Sequence, residues 1–298
     1  MNRIDFVTLK VFISIAEARS LTGAAEREHL ALAAISKRIS DLENQLGTSL
    51  LYRRPRGVEL TPAGHALLHH AHNILGSLRH LDADLSEYGK GVRGHVRIHA
   101  NTSAVIAFLP EDLSAFSLAH PNIKIDLEER VSDEIITAVR DGLTDIGIFA
   151  GHVPAQDLET FPYRWDRLVL VTPRHHPLAR HNGISFDEAS DCDFIGLQQD
   201  ASLHTLIQQA ARRLNRTLRI RVQVRSFDGI CRMIHHGMGV GILPEKTMRA
   251  YVSSLDLSTI PLIDTWANRE LKIGVRSYDT LPVIGRQMVD HLRAVDTN

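Results

Sequence analysis

Leu67, Ala71, Ile74, Leu78, Leu81, Leu85 and Tyr88 follow one another at steps of four, three, four, three, four and three. So strict a seam predicts one long helix whose narrow apolar edge suits pairing with a second copy; a helix packed on its own domain normally shows a wider stripe, and remains the alternative. Thr61 and Pro62 supply its start, a capping hydroxyl followed by the residue best tolerated in the first turn. Gly89 to Gly94, GKGVRG, reads as a hinge at its far end. The chain is therefore expected to divide into a head at residues 1–61, a linker helix and hinge at 62–93, and a body at 94–298.

With 298 residues the chain has room for about two domains. Apolar residues at 44% and charged residues at 23% exclude disorder, and the net charge of -1 excludes a uniformly basic nucleic-acid coat. Residues 1–93 nevertheless carry 12 Lys and Arg against 10 Asp and Glu, and Lys37, Arg38, Arg53, Arg54 and Arg56 face only Asp41 and Glu43 between residues 37 and 56. That is a local basic patch on a neutral protein. Cys192 and Cys231 form no CxxC motif, no run of 18 apolar residues exists, and MNRIDF leads straight into an amphipathic pattern. A reducing, cytoplasmic setting without a membrane anchor is the expectation.

In the head, Phe6, Leu9, Phe12, Ile13 and Ala16 mark one face of a helix ending near Ala18. Ser20 caps a second, short helix whose Ala24 and Ala25 allow close approach. After a break at His29 to Ala31, a third helix buries Ile35, Ile39, Leu42 and Leu46 and ends at Gly47. A strand Leu50 to Arg53, a turn through Pro55 and Gly57, and a strand Val58 to Leu60 complete a winged helix-turn-helix pattern. The polar face of the third helix offers Ser36, Lys37 and Ser40 to a major groove about 12 Å wide. Arg53, Arg54 and Arg56 on the turn suit phosphates or a minor groove. A three-helix bundle with a merely solvated arginine turn would show the same spacing.

The segments FISIAEARSLTGAA (Phe12 to Ala25) and AISKRISDLENQLGTSLLYRRPRGVELTPAGHALL (Ala34 to Leu68) closely resemble the N-terminal domain of LysR-type transcriptional regulators. Further landmarks recur at Asp141 to Gly147, at HHPLA (His175 to Ala179) and at GMGVGILP (Gly237 to Pro244), so the resemblance covers essentially the whole chain. It implies a ligand-responsive DNA-binding regulator acting as a homodimer or homotetramer on a double-stranded operator, with DNA contacts from Thr22, Ala33, Ala34, Ser36, Lys37, Arg38, Arg53, Arg54 and Arg56. Where many relatives open the third helix with Ser-Gln-Pro, Ala31, Leu32 and Ala33 stand here, so base reading is expected to differ.

His65, His69 and His72, with His70 beside them, share a face of the long helix. With no Cys or carboxylate converging in sequence, a solvated face is preferred over a metal site, and neither metal nor cofactor is expected.

Residues 94–298 alternate strand and helix patterns. Strands are expected at Val96 and Ile98, Ile123 to Leu127, Asp145 to Phe149, Leu168 to Thr172, Phe194 to Leu197, Leu218 to Arg225, Val240 to Leu243 and Leu271 to Val275. Helices are expected at Ser103 to Ala119, Asp133 to Gly142, Ser202 to Leu214, Asp228 to His236 and Val283 to Leu292. This implies two α/β lobes, the first about 94–164 with 266–298 and the second about 165–265. The chain path resembles the type II periplasmic-binding-protein-like effector domain of the family.

Three helix starts bear short polar groups, at Asn101-Thr102-Ser103, Gln198 to Ser202 and Ser226-Phe227-Asp228. Helix N-termini in clefts attract anions, although each such group alone is more simply a cap. The resemblance places a small effector against Asn101, Thr102, Ser103, Ala150, Gly151, His152, Gln198, Ser202, Ser226 and Phe227. A carboxylate held by Thr102, Ser103 and Ser202 is one expectation, and Ala150, Gly151 and Phe227 leave room for an aromatic or neutral group.

No GxSxG, HExxH, P-loop or GxGxxG following a strand is present, so no enzyme is expected. A solute-binding receptor would leave residues 1–93 unexplained. Alternation also sets Arg219, Arg221 and Arg225 opposite Ile220, Val222 and Val224, while Lys124, Asp126 and Glu128 oppose a buried Ile123, Ile125 and Leu127. Family resemblance would bring these two strands together across a dimer. Two solvated faces, or arginines on nucleic acid, are the alternatives.

Overall fold

The computed structural model describes residues 4–54, 57–88 and 94–294, with all their side chains except those of 73, 79, 80 and 82–88. The chain forms two compact units, Met1–Arg93 with Asp141–Leu143, and Gly94–Arg140 with Thr144–Asn298.

In the first unit, α1 (Phe6–Ala18) starts where the Asp5 carboxylate accepts the Thr8 N–H at 2.7 Å. Ser20 caps α2 (Leu21–Glu28) by accepting from Gly23 N–H, and His29 ends it in the left-handed region. A third helix, α3 (Leu32–Leu46), stops at Gly47 with φ of 67°. Strands β1 (Leu51–Arg54) and β2 (Gly57–Leu60) pair antiparallel, with Leu51 opposite Leu60. Gly57, at φ of 134°, has its missing Cβ only 2.4 Å from the Arg19 carbonyl oxygen, so no larger residue fits this turn. Thr61 accepts from Gly64 N–H and donates to the Ser49 carbonyl, joining the hairpin to α4 (Pro62–Tyr88).

The core of this unit is Val11, Phe12, Ile15, Ala24, Ala25, Ile35, Ile39, Leu42, Leu50, Leu51 and Val58. It corrects one expectation. Phe6 is 55% exposed and Ile13 only half-buried, while Thr8, Leu9, Val11, Phe12, Ser14 and Ile15 are buried. Helix α1 is contacted by α2, α3 and α4, so its covered surface wraps around the helix instead of following one stripe. Ser14 tolerates burial because its hydroxyl donates to Glu28.

The second unit begins with β3 (Gly94–Ala100), α5 (Thr102–Ala107), α6 (Leu109–Ala119), β4 (Ile123–Glu129), α7 (Ser132–Arg140) and β5 (Ile146–Ala150). The helix expected over Ser103 to Ala119 is two helices, because Pro110 has no N–H for an interior position and the chain turns at Phe108 to start α6. Next come β6 (Glu159–Pro173), α8 (Phe186–Ala189), β7 (Asp193–Leu197), α9 (Ser202–Arg213), β8 (Arg219–Val224), α10 (Phe227–His235) and β9 (Gly241–Pro244). The chain ends with α11 (Glu245–Val252), β10 (Leu257–Pro261), β11 (Asn268–Val275) and α12 (Val283–Ala294). Sequence periodicity missed α8, α11 and β10, and it found only the second half of β6.

Strand order is β10, β6, β11, β5, β3, β4, with β9 also on β6. β3 runs parallel to β4 and β5, and β11 is antiparallel to β5 and β6. The long β6 belongs to both lobes: Glu159 to Arg167 pair with β11, and Leu168 to Pro173 pair with β9 and β10. Each half has its own core, one around Ile98, Phe116, Ile146, Ile273 and Met288, the other around Leu170, Phe194, Phe227, Ile230 and Ile242. Leu127 corrects the sequence pattern, being 40% exposed, and Ile123 and Ile125 are only half-buried, as suits the edge position of β4.

Candidate functional site

Two surfaces carry the residues singled out by sequence. On α3, Ile35, Ile39 and Leu42 are buried, and helical spacing turns Ala33, Ser36, Lys37 and Ser40 the other way. Ala33, Ala34 and Lys37 are exposed and Ser36 is half-buried; Thr22 is exposed at the start of α2. Lys37 has no partner among the ion pairs of the described residues. Arg38 differs, since its Nη1 donates to Asp5 Oδ2 at 3.0 Å and to Thr8 Oγ1 at 2.8 Å. The Thr8 N–H and hydroxyl and the Arg38 guanidinium hold the Asp5 carboxyl below its usual range. Arg53 reaches Ser40 Oγ at 3.4 Å, and Arg54 pairs with Glu59 at 3.3 Å. Arg56 lies outside the described residues.

The second surface is a cleft between the two halves of the body, a void of about 320 Å³ open to solvent. Its walls bring together Asn101, Thr102, Ser103, Ser202 and Phe227 with Arg130, Val131, Ser132, Leu197, Ala201, Leu203 and Arg269. Of the residues expected there, Ala150, Gly151, His152, Gln198 and Ser226 are not in the lining. Each has a structural task nearby. The Ala150 N–H donates to Ser132 Oγ, the Gly151 N–H to the Glu270 carbonyl, the Gln198 N–H to the Val224 carbonyl, and Ser226 caps α10. His152 Nε2 donates to the Ser202 carbonyl at 3.2 Å, and partial burial holds its imidazole below the usual range.

Within the lining, Asn101 is committed to capping α5, and Thr102 donates to Glu129 at 2.6 Å. Ser132 and Ser202 hydroxyls meet at 3.2 Å, one from each half. Ser103 is buried and accepts from Arg269 Nη2 at 2.6 Å. Arg269 also binds Asp166 Oδ2 through Nη2 at 2.6 Å and through Nε at 3.2 Å. Both side chains are almost wholly buried, at 4% and 1% exposure. Burial raises the Asp166 carboxyl above its usual range, although Arg269 opposes this. Arg269 and Ser132 were missed from sequence. Arg269 had left a signal, since it falls in phase with the apolar Leu271 and Ile273 along β11.

Burial pushes the Cys231 thiol up to about 12, and Cys192 is also raised by burial. Among the described residues there is no group of three or more potential metal ligands, and no helix long and apolar enough to cross a membrane.

Residues 89–297 match the LysR substrate binding domain, and residues 6–65 match the bacterial regulatory helix-turn-helix protein of the lysR family. The chain belongs to the LysR family. The uncharacterized HTH-type transcriptional regulator YwbI of Bacillus subtilis (strain 168) is 30% identical over 293 residues, spanning 98% of this chain and 96% of that protein. Among solved structures, the LysR family transcriptional regulator CbnR has a TM-score of 0.66 at 21% identity, covering 99% of this chain and 100% of that one. The Synechocystis PCC6803 CcmR regulatory domain in complex with 2-PG has a TM-score of 0.63 at 25% identity, covering 69% of this chain and 98% of that domain. This LysR-type protein is thus a ligand-responsive transcriptional regulator, with a winged helix-turn-helix head, a linker helix and a two-lobed α/β body. Its relatives are regulators and not enzymes.

Proposed function

We propose that this regulator binds an operator through α3 and the β1–β2 hairpin, and that a small molecule in the body's cleft alters that binding. Residues 1–61, 62–93 and 94–298 would then serve as DNA-binding head, dimerising linker and effector domain. Lys37 and Ser36 face base edges in a major groove while Arg53, Arg54 and Arg56 meet backbone phosphates. The cleft carries the reading of ligand control. It opens between two halves joined by one shared strand, with short hydroxyl groups at the starts of α5, α7 and α9 around it. CcmR, named with 2-PG, offers a precedent for a ligand in such a domain. Ligand binding that closes the halves would favour one arrangement of the oligomer over another and so change operator spacing or bend.

A dimer or tetramer is supported by α4, whose Ile74 and Leu81 are 43% and 51% exposed and fall on the four-three seam. The side chains of Leu85 and Tyr88 lie outside the described residues. The arginine-bearing β8 and acidic β4 offer a second pairing between copies. Here Arg221 keeps a contact within its own chain, to Asp193 at 3.8 Å, so its contribution to a dimer would be modest. A cytoplasmic location completes the reading.

A screen of metabolites for release or tightening of a fluorescent operator, repeated on Ser202→Trp, tests it. Hits that vanish in Ser202→Trp while operator binding persists are the expected result. Hits indifferent to that substitution would remove the cleft from consideration.

A further inference from the structure

The floor of the cleft holds an arrangement that structural packing alone leaves incomplete. Arg269 and Asp166 are directly opposite each other on β11 and β6, one residue before β6 changes lobes at Arg167 and Leu168. Arg269 spends Nε and one nitrogen of its fork on Asp166 and Ser103, and its Nη1 makes no hydrogen bond among the described residues. Asp166 Oδ1 is buried and equally unpartnered. A buried ion pair normally satisfies its remaining donors and acceptors, because each orphan costs about 1–3 kcal/mol. The buried orphan here is Asp166 Oδ1, while its partner Arg269 keeps Nη1 out of every hydrogen bond of the described residues and lines a void.

We propose that Arg269 is the specificity-determining residue of this cleft: it selects a ligand with a single carboxylate or comparable anionic head, and Asp166 takes up a proton from solvent as that ligand arrives. The proposal rests on the cleft reading above and deepens it. With Nε and Nη2 committed to Asp166 and Ser103, Nη1 is the donor left for an oxygen of a ligand carboxylate, a charge-assisted hydrogen bond from a residue that lines the void. Apolar Leu197, Leu203 and Phe227 close the opposite wall and suit the ligand's uncharged remainder. Two anions cannot share one buried cation without cost, so one must be neutralised. The charged groups around Asp166 are Arg269 itself and Lys246 and Glu245 at the start of α11, and His152 lies within electrostatic reach of Arg269. Lys246 is held over the Phe108 ring at 4.4 Å. Asp166 is the buried carboxyl among them, and burial already favours its neutral form.

Thermal unfolding of the full chain in acetate and in acetamide, at ~100 mM with ionic strength matched by sodium chloride, tests the proposal. At about pH 5.5 acetate should raise the Tm by about 2–4 °C over acetamide, and at about pH 8.5 the difference should shrink to near zero. Arg269→Gln should abolish the acetate effect at both values, and Asp166→Asn should make it equal at both. A parent response that is the same at both values, or one that acetamide reproduces, overturns the proposal, as does a response surviving in Arg269→Gln. Should Arg269→Gln not fold, the parent and Asp166→Asn profiles decide alone. Failure of this test together with operator-releasing metabolites that depend on Ser202 would leave the cleft reading standing and remove only the charge selection.

Discussion

Two arginine–aspartate pairs are buried in the body of this regulator, and they are built to opposite ends. Arg164 meets both oxygens of Asp112 at 3.1 and 2.9 Å and donates to the carbonyls of Tyr163 and Leu292; the Tyr163 hydroxyl donates to Asp112 at 2.6 Å. Every carboxylate oxygen is used, the pair ties α6, β6 and α12 together, and neither residue lines the cleft. Arg269 and Asp166, two residues further along the same strand β6, leave one oxygen and one nitrogen unused at the edge of the cleft. A closed pair fixes structure, whereas an open one keeps a charge available. Buried ion pairs gain little over apolar packing but lose much when half is removed, so the comparison can be broken by removing halves.

The largest effect is expected at the closed pair. Asp112→Ala strands the Arg164 guanidinium and the Tyr163 hydroxyl in the core, and should cost about 3–5 kcal/mol of stability in denaturant unfolding. A cost near zero would mean that the network is ornamental and that the contrast fails. A second test moves to the head, where the same contrast recurs between neighbours on α3. Lys37 is exposed and uncommitted, so Lys37→Ala should weaken operator binding by about 1–3 kcal/mol if a base is read, or flatten its salt dependence if a phosphate is met. Unfolding temperature should not change. Unaltered affinity at every salt concentration would sink the α3 interface.

Both pairs had a signature in the sequence that periodicity reading passed over. Arg164 and Asp166 are in phase with Leu168 and Leu170 on β6, and Asp112 shares a helical face with Leu109 and Phe116. A charged residue in phase with an apolar run announces a buried partner, but it cannot say which, because the partners lie 52 and 103 positions apart. The α3 face and the alternation of strands and helices were legible because they depend on local spacing. Much of the cleft lining was not, because Arg130, Ser132 and Arg269 come from the end of β4, the start of α7 and β11, and only the strand order of the sheet brings them to one wall. His152 and Gly151 were expected in the lining from family resemblance; they lie outside it and bond to its neighbours, His152 to the Ser202 carbonyl and Gly151 to the Glu270 carbonyl. Phe6 misled because an end-of-helix phenylalanine keeps the period while lying beyond the packed neighbours.

The open pair gives the third test, through pH. Burial raises the Asp166 carboxyl, so between its unfolded value near 3.8 and its higher folded value the folded state holds more protons than the unfolded state. Stability from this group is therefore present at low pH and lost as pH rises through that window, the reverse of a salt-bridged surface acid. Asp166→Asn should remove that slope while costing only about 1–2 kcal/mol, less than Asp112→Ala, because the arginine left behind borders a void that water can enter. Unfolding measured across about pH 4 to 8 for parent and variant decides it. A slope that persists in the variant would assign it to another group.

The smallest effect is expected at Arg38, the committed neighbour of Lys37. Its guanidinium fixes Asp5 and Thr8, and through them the first turn of α1, yet its side chain is 38% exposed and that of Asp5 57% exposed. Solvent screens such a pair, so Arg38→Ala should cost about 0–1 kcal/mol of stability. The DNA consequence separates two roles that sequence resemblance merges. If Arg38 serves α1, its loss should weaken operator binding much less than that of Lys37, and Asp5→Asn should reproduce the small stability loss without touching the basic face. If Arg38→Ala instead weakens operator binding as much as Lys37→Ala, the ion pair with Asp5 gives way to phosphate when DNA arrives. Arg38 would then join Arg269 as a cation held in reserve by an acid.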